Sequence, residues 1–91
     1  MVEPQLVDGL VIIVLRIRDV DAREQIEHHL CNIGEQITPT IYELNTADWD
    51  PGLWEEEVEL FERWLEGTRD RMIVWKFVAQ TYTRFTITGS A

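Results

Sequence analysis

The sequence predicts an α+β domain, an antiparallel sheet with two helices on one of its faces. Three observations carry that expectation. Stretches dense in Val, Ile, Thr and aromatic residues stand near both ends of the chain, as strands require. Two apolar stripes at helical spacing lie between them. The chain has 91 residues, 45% of them hydrophobic and four of them tryptophan, enough for one core and one domain over residues 1–91. It is too short to wrap helices around both faces of a sheet.

The first element is a strand from Val7 to Arg18. Val11, Ile13, Leu15 and Ile17 alternate on one face, and Ile12, Val14, Arg16 and Arg18 on the other. Asp21-Ala-Arg-Glu24 then reads as a capping box, an acceptor at the helix start answered three residues later by a carboxylate. The helix that follows carries Ile26, Leu30 and Ile33 as its buried stripe and ends at Gly34. Gln36 to Asn45 reads as one extended segment, in which Pro39 cannot donate to a ladder and so marks an edge or a bulge. Asp50-Pro51 reads as the cap and first residue of a second helix. Its stripe is Trp54, Val58, Phe61 and Leu65, widened by Leu53, Leu60 and Trp64; the glutamates at 55, 56, 57, 59, 62 and 66 are left for solvent, and Gly67 ends it. Two further strands, Met72 to Ala79 and Thr83 to Thr88, are separated near Gln80 to Tyr82. Helices and strands in this order fit a ferredoxin-like sandwich.

The strand from Met72 is apolar on both faces, with Met72, Val74 and Val78 on one and Ile73, Trp75, Phe77 and Ala79 on the other. Helices on a single side leave the second face uncovered, a large apolar patch for a monomer. A second copy of the chain is the expected cover. Ile12, Val14, Met72, Val74 and Val78 are the residues assigned to that interface.

Charge and cysteine content narrow the function classes. Against 17 acidic residues stand 8 basic ones, of which only Lys76 is lysine, for a net charge of −9. That balance speaks against broad, nonspecific nucleic-acid binding by the chain alone. Cys31 is the only cysteine, so no intramolecular disulfide forms; the chain reads as cytoplasmic, and Cys31 as a small buried apolar residue. The longest apolar run, Leu10 to Leu15, is far too short to span a membrane, and no basic segment precedes it as in a signal peptide.

Three segments carry a resemblance. "IIVLRIRD" is a hydrophobic opening strand running into an acid, "TPTIYEL" is a second strand with the aromatic-acid pair Tyr42-Glu43, and "MIVWKFVAQTYTRFTITG" is an aromatic-rich strand followed by Gln, Tyr and a last strand ending in Gly. Together, and in this order, they resemble the Cas-two family, the smaller of the two core CRISPR adaptation proteins. The resemblance implies a homodimer that bridges two dimers of the Cas-one integrase and helps to hold prespacer DNA. Its alternative is a metal-dependent endonuclease of the same fold acting on RNA or DNA. A third reading, from a different class, is a stand-alone acidic interaction or toxin-like protein.

The family shows a tyrosine-aspartate pair at the end of strand one, where Arg18-Asp19 stands here. A shift of two or three residues would put Arg16 or Ile17 at that position instead. The resemblance makes Asp19 the candidate catalytic acid and ligand of a magnesium ion shared by two protomers. The plainer reading is that Asp19 or Asp21 caps the first helix. Arg16 and Arg18 share one face, and the resemblance gives them the DNA backbone, which a guanidinium can fork onto; pairing with acids across the dimer is the alternative. It also implies that the last strand crosses to the partner's sheet, with Phe85 and Ile87 in an intermolecular core; an intrachain hairpin is the alternative. His28 and His29 are adjacent in a helix, about 100° apart, so they form no metal pair and read as surface residues.

Overall fold

The computed structural model describes residues 9–78 and 81–89. Its elements run β1 (Leu10–Arg16), α1 (Val20–Ile33), β2 (Glu35–Thr38), β3 (Ile41–Asn45), α2 (Leu53–Leu65), β4 (Arg71–Val78) and β5 (Thr81–Thr88). The five strands form one sheet in the order β2-β3-β1-β4-β5, every neighbouring pair antiparallel. This is an α+β fold, and the first four strands are compatible with a ferredoxin-like arrangement, with β5 added as a hairpin outside β4. The residues Val7 and Asp8 of the expected first strand, and Ala79 and Gln80, lie outside the described residues.

The core lies between the sheet and both helices. From β1 it takes Val11, Ile13 and Leu15, from β3 Tyr42 and Leu44, from β4 Met72 and Val74, and from β5 Ile87; α1 adds Ala22, Ile26 and Leu30, and α2 Phe61 and Leu65. The helical stripes expected from spacing are thus the buried ones, with Ile33, Trp54, Val58 and Trp64 packed at the margin.

Several boundaries move. Asp19 caps α1, not Asp21: its Oδ1 accepts from the Ala22 N–H at 2.9 Å, and Asp21 falls in the first turn. The second helix starts at Leu53 behind Gly52, whose φ of 90° is left-handed backbone that suits glycine, so Asp50 and Pro51 belong to the preceding turn. The extended segment Gln36 to Asn45 is a hairpin. Pro39 stands in its turn, and the ladder slips between Gln36 and Thr38, so the irregularity expected at Pro39 is there, with a second strand on its far side.

The largest correction concerns the faces of β4. Ile13 pairs with Val74 and Leu15 with Met72, so Met72 and Val74 stand beside the helix-facing residues of β1 and are fully buried in the protomer's core. A strand apolar on both faces gives alternation nothing to read, and only the register to β1 decides which face is which. Met72 and Val74 therefore do not reach the opposite face; the side chain of Val78 lies outside the described residues. Ile12 and Val14 do lie there, half-buried, beside Ile41, Ile73 and Trp75. Among the described residues no helix packs over this face; it is open around Ile12, Val14, Ile73 and Trp75, whereas Phe77 farther along it is buried, its ring against Tyr82. Phe85 and Ile87 also point to the helices: Ile87 is in the core and Phe85 packs its ring edge-on to Trp54, 6.1 Å between centroids. In the described chain β5 pairs with its own β4 along its whole length, which is the hairpin alternative.

Two smaller expectations also change. Cys31 is exposed on α1. His28 is exposed as expected, but His29 is half-buried between the helices, its Nε2 bonded to Glu57 at 2.5 Å and its ring edge-on to Phe61 and Trp64. No described helix is long and apolar enough to cross a membrane.

Candidate anion-binding site

A chain of hydrogen bonds ties the C-terminal end of α2 to the start of α1. Thr68 Oγ1 donates to the Leu65 carbonyl at 2.7 Å and accepts from the Asp70 N–H at 3.2 Å. Asp70, only 8% exposed, spends both carboxylate oxygens on backbone: Oδ1 accepts from the Arg18 N–H and Oδ2 from the Asp19 N–H, each at 3.0 Å. The loop after β1 is thereby clamped to the loop before β4.

The clamp sets four arginines around one cleft of about 450 Å³, lined by Leu15, Arg16, Ile17, Arg18, Arg69, Asp70 and Arg71. Arg16 and Arg71 are direct cross-strand partners in the β1–β4 ladder, on the face that carries Ile12, Val14 and Ile73. Partners in such a ladder have Cα atoms about 4.5–5.5 Å apart, and like charges placed so are destabilising. The other four basic residues are differently placed. Arg23 bonds Glu27 at 2.7 Å, Arg63 stands among Glu59, Glu62 and Glu66, and Lys76 and Arg84 each lie 5.3 Å from an indole centroid, of Trp54 and Trp75. Among the described residues no carboxylate forms an ion pair with Arg16, Arg18, Arg69 or Arg71. Half of the chain's basic residues thus line one cleft, with Asp70 the single carboxylate among them, on a protein of net charge −9.

Asp19 stands next to this cluster, and within one chain the described residues do not by themselves make a magnesium site. Its Oδ1 is bonded to a helix amide, each oxygen of the neighbouring Asp70 carboxylate already accepts a backbone amide, and the described residues gather no group of three or more His, Cys, Asp or Glu side chains able to hold a metal. The four arginines of the neighbouring cleft favour an anion over a divalent cation there. Asp19 is a capping residue here, and the donors around it are built for negative charge.

Of the expected site residues, the structure brings Arg16 and Arg18 together. Sequence reading missed Arg69 and Arg71. Their signal was the repeated Arg-Asp pair, Arg18-Asp19 leaving one strand and Arg69-Asp70-Arg71 entering another, which meets only when β1 and β4 pair antiparallel.

Tyr42 is the other group whose chemistry is displaced. It is 1% exposed, and burial, with the Cys31 thiol and the Glu27 carboxylate nearby, pushes its phenol up to about 12. That is a property of the core rather than of the cleft.

No protein-family model, curated protein or solved structure matches this chain.

Proposed function

We propose that the chain works as a homodimer that holds nucleic acid by its phosphates, as the resemblance to the Cas-two family implies: an adaptation subunit bridging dimers of the Cas-one integrase around prespacer DNA in the cytoplasm. The observation that carries this reading is the cleft of four unpaired arginines at the rim of an open apolar sheet face. Arginine forks onto phosphate oxygens, and phosphate contacts position a nucleic acid without reading its sequence. The open face, with Ile12, Val14, Ile41, Ile73 and Trp75, supplies the surface for the second copy. The first four strands are compatible with the ferredoxin-like fold of that family, while the fifth pairs within its own chain where the resemblance implies a crossing to the partner. The acidic remainder of the surface keeps binding confined to this one place and suits a basic protein partner. On this reading the work is architectural and the integrase performs the chemistry.

The test combines mass with binding. Light scattering should give twice the 10.7 kDa chain mass, and a short DNA duplex should bind with a salt dependence that loses about one unit of slope for each of Arg16 and Arg71 replaced by alanine. Copurification with the integrase completes it. A monomer whose weak DNA affinity is untouched by both substitutions would overturn the proposal.

A further inference from the structure

The cleft is more concentrated than a duplex backbone needs. Each strand of a nucleic acid carries one negative charge per about 3.4 Å of axis. Here Arg16 and Arg71 stand directly opposite each other, and Arg18 and Arg69 flank them from the two clamped loops. One phosphodiester leaves most of that charge uncompensated. An oligophosphate brings several charges into one small volume, and a cleft of about 450 Å³ lies within the size range of small-ligand sites. The single carboxylate lining the cleft, Asp70, holds the Arg18 and Asp19 amides and offsets one of the four guanidinium charges, which leaves a surplus of positive charge.

We infer that this cleft binds a compact oligophosphate, the di- or triphosphate of a nucleotide, either free or at the 5′ end of a strand. The inference rests on the phosphate-holding reading above and sharpens it from a backbone contact to a terminal one. The bound oligophosphate offsets the repulsion between Arg16 and Arg71 that the empty ladder bears, so binding stabilises the fold as well.

Calorimetry on the full chain at physiological salt provides the test, with a nucleoside triphosphate, the corresponding monophosphate, inorganic phosphate, and one oligonucleotide carrying either a 5′-triphosphate or a 5′-hydroxyl. The triphosphate should bind at least tenfold more tightly than the monophosphate or inorganic phosphate. Arg16→Ala and Arg71→Ala should each remove most of that gain, while Arg63→Ala, which stands on α2 among glutamates and away from both the cleft and the sheet face, leaves it intact. Preference for the triphosphorylated oligonucleotide over the free nucleotide assigns the site to strand ends, and equal binding assigns it to the phosphates alone; both support the inference. Equal affinity for mono- and triphosphate, or an equal loss in Arg63→Ala, overturns it. If the 5′-hydroxyl strand then still binds through Arg16, the phosphate-holding reading survives without it. If only the free triphosphate binds, the inference stands and that reading falls.

Discussion

Arg84 lies across the β4–β5 ladder from Trp75 and places its guanidinium 5.3 Å from the indole centroid. The pair ends a continuous row on the open face. Glu35 is opposite Glu43, Glu43 opposite Ile12, Ile12 opposite Trp75, and Trp75 opposite Arg84. The row is acidic at the β2 edge, apolar in the middle and basic at the β5 edge. A second copy laid face to face about a two-fold axis along the strands reverses the row, so each acidic end meets a basic one. With the axis across the strands, acids would face acids.

That arrangement makes a charge-reversal test. Glu43→Arg and Arg84→Glu should each weaken the dimer, by roughly tenfold for a rim pair worth about 1 kcal/mol. The double variant should recover most of the loss, as measured by sedimentation across a dilution series. A dimer indifferent to all three variants would mean the chains meet in another register.

The reversed face of β4 gives a second prediction. Ile73→Asp places a charge on the open face and should yield a folded monomer with native circular dichroism. Val74→Asp places it among fully buried residues under the helices and should cost more than about 4 kcal/mol, unfolding the chain at ambient temperature. Urea unfolding of the two variants separates the faces; a folded Val74→Asp monomer would reverse the assignment.

Tyr42 predicts an alkaline limit. Its phenol is held protonated to about 12 in the folded chain, against about 10 when exposed. The unfolded chain therefore loses this proton first. The stability associated with Tyr42 is intact below pH 10 and declines as the pH climbs from 10 toward 12, by roughly 2–3 kcal/mol in all. Tyr42→Phe should flatten that part of the stability profile. In a Tyr82→Phe background, phenolate absorbance from Tyr42 should appear only as the protein approaches its alkaline transition.

Gly89, just past the end of β5, lies against the end of α2. A Cβ there would collide with the Leu65 carbonyl group, and backbone cannot swing aside as a side chain can. Gly89→Ala should cost about 1–3 kcal/mol, read as a lower urea midpoint with unchanged slope. An unaffected midpoint would show that the strand end lies farther from the helix.

The sequence made the helices legible because their apolar stripes are unambiguous: Ile26 and Leu30, and Phe61 and Leu65, are buried as their spacing requires. It made Ile12 and Val14 legible because β1 ends in arginines on the same face. It hid the faces of β4, since Met72, Ile73, Val74 and Trp75 are all apolar and only pairing with β1 distinguishes them. It hid the hairpin around Pro39, because a two-residue turn inside a short β-branched run looks like a single strand. Half of the arginine cleft was hidden for a related reason. Arg69 and Arg71 lie more than fifty positions from Arg16 and Arg18, and no local pattern reports an encounter that the sheet creates.

The Asp70 clamp has a consequence for the order of assembly. Its carboxylate holds amides that precede it by 52 and 51 positions, across most of the chain. On a chain synthesised from its N-terminus, the residues of β1, α1 and the hairpin are all joined before that carboxylate exists, and until β4 pairs with β1 the first two arginines gather no cleft. The clamp closes only when β4 slots in beside β1, a late, long-range event in any folding route. The amide hydrogens of Arg18 and Asp19, though they sit in a loop, should then exchange with deuterium as slowly as those at the sheet's centre, and the basic site comes into being all at once, with the last third of the molecule.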